Sequence, residues 1–203
     1  MDPNDPAVVE ATIIDGGQAG PVITLAGTET STTLIAGLTL TNGKAVNGGG
    51  VLAGYGQATL SKCVVRGNEA TSHGGGLHNF RGRIEACRIV DNVAGGRGGG
   101  LNNCDGTLVN CLIARNKAGG QGGGLYDCDG PIRHLTVLDN AAGGNGAAMV
   151  YCNGSITNCL VRGNTSADGV QLLRCSSPTY CCIPGWPGGG TGTIACDPKL
   201  LGS

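Results

Sequence analysis

The chain is 203 residues long and 40 of them are glycine, roughly three times the usual share of about 7%. Thirteen basic and fourteen acidic residues give a formal net charge of −1, which excludes the basic footprint of a nucleic-acid binder and the polybasic face of a protein held on an anionic membrane. With one Trp, one Phe and four Tyr against eleven Cys, the core has to be built from small aliphatics and thiols, which suits thin, closely stacked layers.

The chain opens on Met1-Asp2-Pro3-Asn4-Asp5-Pro6, with neither the basic stretch nor the apolar run of a signal peptide, and no segment has the roughly 18 apolar residues of a membrane span. Ala7 to Leu25, with Ile13, Ile14, Val22 and Ile23, reads as an irregular first coil, so residues 1–32 are set apart from the regular stretch that begins at Thr33.

Residues 33–176 repeat. Glycine triplets stand at Gly48–Gly50, Gly74–Gly76, Gly98–Gly100 and Gly122–Gly124, each followed by Val or Leu, and a degraded copy stands at Gly146-Ala147-Ala148. The later spacing is 24 residues. An asparagine series, Asn42, Asn68, Asn92, Asn116, Asn140 and Asn164, runs in parallel, its last four intervals also 24. Two residue types holding one register over so long a stretch define an internal repeat, and a period of this length points to a solenoid.

Within a repeat three positions stay apolar: Leu60, Ile84, Leu108, Ile132 and Ile156; then Cys63, Cys87, Cys111, Leu135 and Cys159; then Val65, Ile89, Ile113, Val137 and Val161. Variable neighbours such as Arg66, Arg88, Thr136 and Arg162 alternate with the third column, the period of a strand. The step of three between the first and second columns places a bend near Lys62, Ala86, Asn110, His134 and Asn158. After the glycine turn, a further strand carries Leu77, Leu101, Leu125 and Met149, followed by Phe80, Cys104, Cys128 and Cys152. Three short strands per coil and no helical pattern predict an all-β, parallel β-helix of about eight coils. Stacked at about 4.8 Å, these make a rod roughly 40 Å long. The asparagines are read as a ladder of side-chain amides bonding from coil to coil.

The tail, residues 177–203, holds Cys181-Cys182, Trp186, Gly188–Gly190 and the closing Asp197-Pro198-Lys199-Leu200. Neither end shows a helix to cap the core. A solenoid needs polar caps, so a piece of a longer chain, or self-association through the coil ends, is expected.

The pair of motifs GG[A/G]-apolar and apolar-x-x-Asn, here Gly74-Gly75-Gly76-Leu77 with Val65-Arg66-Gly67-Asn68 and its copies at Ile89–Asn92, Ile113–Asn116, Val137–Asn140 and Val161–Asn164, resembles the right-handed parallel β-helix repeats of the pectate-lyase-like superfold. The resemblance extends to non-enzymatic bacterial surface repeats of the polymorphic outer-membrane protein type. It covers roughly residues 33–176, with Val or Ile replacing the aromatic that usually opens the second motif. It implies a right-handed helix and a secreted or cell-surface location.

Candidate sites are few. Seven of the cysteines lie on two columns with the repeat period, Cys63, Cys87, Cys111 and Cys159, and Cys104, Cys128 and Cys152. They read as stacked core thiols, poorly oriented to bridge. Cys175, Cys181, Cys182 and Cys196 break the register; a disulfide among them stays open, and the absence of CxxC spacing argues against zinc. No cofactor or metal set is read. His73, His78 and His134 read as exposed variation. The acids nearest to a cluster are Asp91 and Asp139, flanking Arg115 on successive coils, and Asp105 and Asp129 in another column. They make no catalytic constellation of the kind a polysaccharide lyase or hydrolase requires. The expected role is therefore a non-catalytic structural or interaction module, adhesive or glycan-binding, with a degenerate or partial carbohydrate-active domain as the alternative.

Overall fold

The structure, a computed structural model, describes residues 2–195; Cys196 and the Asp197–Leu200 close lie outside the described residues. Four parallel sheets run along one axis. The first is built from Ile13–Asp15, Thr39–Thr41, Val64–Arg66, Arg88–Val90, Leu112–Ala114, Thr136–Leu138 and Leu160–Arg162. The second stacks Ile23–Leu25, Val51–Ala53, Leu77–His78, Leu101–Asn102, Leu125–Tyr126, Met149–Val150 and Leu172–Leu173. The third has six strands, from Leu34–Ala36 to Ile156–Thr157, and the fourth has five, from Lys44–Asn47 to Ala141–Ala142. Equivalent residues pair in register, Ile89 with Val65 on one side and Ile113 on the other. The protein is a parallel β-solenoid of about seven turns, one fewer than the repeat count predicts, because the tail adds isolated bridges at Thr179 and Cys182 rather than full strands.

The central coils have four strands each, not the three predicted. The extra strand, Val93–Ala94 and its equivalents, lies between the asparagine and the glycine turn. It is two residues long in the central coils, with Ala94 and Ala118 buried and Val93 and Lys117 exposed, too short and too small a pattern to show a period.

Left-handed residues make the corners. Lys62, Ala86, Asn110, His134 and Asn158 have φ between 51° and 55°, at the predicted bend. Two more such columns are Asp91, Arg115 and Asp139, then Asn79, Asn103, Asp127, Tyr151 and Arg174. Most residues in the left-handed region store strain of about 1 to 2 kcal/mol, which Asn relieves by local hydrogen bonding. Ala86→Asn, which copies Asn110 and Asn158, should therefore raise stability by about 0.5 to 1 kcal/mol. A thermal melt with no gain would remove the strain argument.

The inward columns form the core: Leu60, Val65, Leu77, Ile84, Ile89, Leu101, Leu108 and Ile113 are all fully buried. The asparagine ladder stands among them. Asn116 Nδ2 donates to Ile89 O (2.9 Å) and to Asn140 Oδ1 (2.9 Å), and its own Oδ1 accepts from Asn92 N (3.1 Å) and Asn92 Nδ2 (3.0 Å). The pattern repeats from Asn68 to Asn164. Asn42 is not a rung. Thr41 pairs with Arg66 and Lys44 with Glu69, so the residue level with Asn68 is Gly43, whose N–H donates to Asn68 Oδ1 (2.9 Å). Asn42 sits one column earlier, at φ 59°, and its Nδ2 bonds Asp15 Oδ1 at the surface (2.8 Å).

Cysteines fill the corners of the core. The first column continues past Leu135 through Cys159 to Cys181, where Cys159 N donates to Cys181 Sγ (3.3 Å). In the second, Cys104, Cys128 and Cys152 are followed in place by Cys175, which lies against Cys152. Cys175 and Cys181 are free thiols that stay in their columns; shortened last coils, not departure from the stack, break their sequence spacing. Burial pushes the Cys128 thiol far above its usual range, so it stays protonated and behaves as a small apolar filler.

The two ends differ: among the described residues no helix caps either, as expected, but only the N-terminal end leaves its core exposed. A short helix, Pro6–Ala11, capped by Asp5 through a hydrogen bond from Ala7 N, packs on the outer face of the first sheet. There Thr39 Oγ1 donates to Val9 O (2.8 Å), and Glu10 pairs with Arg88. This helix covers a flank, not the end. At the far end Ile183 is fully buried, Trp186 packs against the core, and Ile194 bridges Cys182. That end is closed.

Candidate functional site

The predicted acids do not converge. Asp91, Arg115 and Asp139 lie on the corner after the first sheet, where Arg115 Nε and Nη2 grip Asp91 Oδ1 and Oδ2 at 2.8 Å each. All three side chains are solvent-exposed, so the row is a surface ion ladder worth little to stability. Asp105 and Asp129 lie on the opposite side, past the second sheet. Asp105 Oδ1 accepts from Asp129 N (3.2 Å), Asp129 Oδ1 from Asn153 N (2.9 Å), and Arg81 reaches Asp105 at 3.5 Å. The carboxylates there tie successive coils together.

Beside them the outer face of the second sheet gathers chemistry that periodicity did not flag. Its outward residues are Leu52, His78, Asn102, Tyr126 and Val150, paired coil to coil, and the left-handed corner next to them carries Asn79, Asn103, Asp127, Tyr151 and Arg174. Each tyrosine of this flank has a cation over its ring: Arg81 over Tyr55 at 4.3 Å, Arg97 over Tyr126 at 4.9 Å, Arg174 over Tyr151 at 5.5 Å. Tyr126 and Tyr151 meet edge to face at 5.5 Å, an arrangement worth about 0.5 to 1.5 kcal/mol beyond area burial. Asn103 Nδ2 bonds Asn79 Oδ1 (2.7 Å) and Tyr55 Oη (3.4 Å). Tyr126 is 8% exposed and forms the floor, while Tyr55 at 45% stands open to solvent.

Arg174 also lines a cleft of about 520 Å³ at the closed end, with Asp168, Gln171, Cys175, Pro184 and Trp186. Tyrosine flank and tryptophan cleft thus share a residue. The fold brings this set together although its members are spread over Tyr55 to Trp186 and occupy different columns, so no repeat marks it. The available signal was compositional: three of the four tyrosines and the lone tryptophan are on this side.

Electrostatics single out Asp127. Burial, with smaller contributions from Asp129 and Asp105, raises its carboxyl above the usual range. An acid whose pKa is higher folded than unfolded is destabilising when ionised, and that penalty disappears as pH falls through the folded value. Asp127→Asn should thus melt higher than the parent at pH 7, the gap closing on acidification; a gap constant with pH would exclude the titration. His73 and His78 are half-buried rather than exposed, their rings 6.4 Å apart. Burial holds both below the usual histidine range, and the Nδ1 of His78 has no partner among the described residues. His134 is exposed and pairs with Asn158 (3.1 Å).

Among the described residues no three metal-binding side chains converge, and no helix is long and apolar enough to cross a membrane. Fold and surface define a parallel β-solenoid carrying an aromatic and amide-rich flank. No protein-family model matches the chain, and neither does any curated protein or solved structure.

Proposed function

We propose that the protein is a non-catalytic recognition module that binds a glycan along the flank beside the second sheet, over the corner where Tyr55 and Tyr151 stand. The observation that carries this is the convergence of Tyr55, Tyr126 and Tyr151 with Asn79 and Asn103 on one rigid face that ends at the Trp186 cleft. Aromatic faces stack on the apolar faces of sugar rings while amides and carboxylates pair with hydroxyls. Coils spaced by about 4.8 Å hold these groups in fixed positions along one axis, as an extended chain requires. The sequence resemblance to right-handed, pectate-lyase-like repeats of secreted and surface proteins supports the same reading, and with it an extracellular setting.

Electrophoresis through gels containing soluble neutral polysaccharides tests it. Retardation by at least one polymer is expected, with Tyr151→Ala and Tyr55→Ala each weakening it about tenfold, near 1.4 kcal/mol. No retardation by any polymer, or variants retarded like the parent, would overturn the reading.

A second reading has one specific support: the raised Asp127 carboxyl beside Asp105 and Asp129 is the chemistry of a general acid. Release of new reducing ends or unsaturated products from the same polymers, with or without calcium, would favour a carbohydrate-active domain, and Asp127→Asn should then abolish it.

A further inference from the structure

The N-terminal end of the solenoid is its open end. Ile13–Asp15, Ile23–Leu25 and Leu34–Ala36 are terminal strands of three sheets, each hydrogen-bonded to a strand on one side only. Ile14 points inward, level with the fully buried Leu40, yet is 39% exposed because no described coil lies beyond it. Ile13 at 50% and Leu34 at 63% border it, so three of the molecule's exposed large hydrophobic side chains ring a single edge. Ile23, Leu25 and Ile35 are only partly covered. An unpaired strand edge backed by exposed core is a template for pairing with another chain.

No segment among the described residues covers it. Residues 2–11 turn away from the edge and lie on the first sheet, where Asn4 bonds Lys62 and Glu10 pairs with Arg88, both in later coils. Ala195, the last described residue, directly follows Ile194 at the opposite, plugged end, where Ile183 and Trp186 close the core. Leu172–Leu173 at that end is likewise bonded on one side only, but Ile183 and Trp186 cover the core behind it, so the exposed core surface belongs to the N-terminal edge and finds its like only on a second copy of that edge.

We propose that the open edge is the interface for a second copy of the chain, joined head to head about a two-fold axis. A two-fold perpendicular to the solenoid axis runs the edge strands of the two copies antiparallel and sets the Ile14 surfaces against each other. Such a contact is isologous and stops at two copies. The dimer lengthens the rod and places a recognition flank on each half.

Sedimentation or light scattering over a dilution series from about 1 μM to about 1 mM reads the outcome. The parent should move from about 20 kDa to about 40 kDa, one and two copies of the 20.1 kDa chain, and level there. Ile14→Lys should stay monomeric at the top of the range. Leu34→Lys, at the outer rim, serves if Ile14→Lys loses its circular-dichroism signature, and Val93→Lys, exposed in a central coil where Lys117 is its in-register neighbour, should dimerise like the parent. A parent that is monomeric throughout assigns the edge to a different chain and overturns the proposal. So do masses that climb beyond the dimer, or edge variants that dimerise normally.

Discussion

Gly99→Val should fail to give a folded protein, or give one destabilised by more than about 4 kcal/mol, whereas Arg97→Ala two residues away should cost under about 1 kcal/mol. A Cβ on Gly99 would lie 2.5 Å from the carbonyl oxygen of Gly123 and 2.6 Å from the carbonyl carbon and oxygen of Lys117. These are backbone atoms of the next coil, and Gly99 N is itself hydrogen-bonded to Gly122 O (3.1 Å). Relief would require prising apart two coils whose ladder bonds fix their separation. Arg97 is exposed and loses only its contact with the Tyr126 ring. Urea denaturation of both variants makes the comparison, and equal losses would refute the close-approach account of the glycine turn. The column at Gly82, Gly106, Gly130 and Gly154 obeys the same rule: a Cβ on Gly106 would sit 1.7 Å from Gly82 O.

Asn116→Ala should destabilise by about 3 to 5 kcal/mol, because it strands several buried groups at roughly 1 to 3 kcal/mol each. Asn92 N loses its acceptor, Ile89 O loses the Asn116 donor, and Asn140 Oδ1 loses one of two. Asn116 is fully buried, so water does not substitute without opening the stack. Asn116→Asp should be nearly as severe, since a carboxylate accepts but cannot donate. Asn42→Ala is the control: it loses one exposed bond to Asp15 and the relief Asn gives a left-handed corner, and should cost about 1 to 2 kcal/mol. Denaturation midpoints that rank Asn42 with Asn116 would return Asn42 to the ladder.

Much of this architecture was legible because a solenoid makes every coil solve one packing problem. Inward columns must be apolar, a corner in the left-handed region favours Gly, Asn or Asp while admitting others, and an amide ladder needs the same residue at the same level, so the period is written repeatedly. Misreadings fell where one coil departs from that problem. The interval from Asn42 to Asn68 is 26 residues where the others settle at 24, and the local coil has 25, which moves Asn42 one column out. Cys175 and Cys181 looked out of register because the last coils are shorter, although the columns continue through them. The fourth strand escaped because buried Ala94 and Ala118 carry too little side chain to mark a face.

By itself the sequence determined the repeat, the inward columns, the Asn68 to Asn164 ladder and the bends, since each arises from a constraint local to one coil and copied to the next. Only the tertiary structure decided which end is open, that Pro6–Ala11 lies on a flank, and that Tyr55, Tyr126, Tyr151, Arg174 and Trp186 share a side. Those features depend on contacts between residues far apart in sequence, made once each, and a contact made once leaves no period to read.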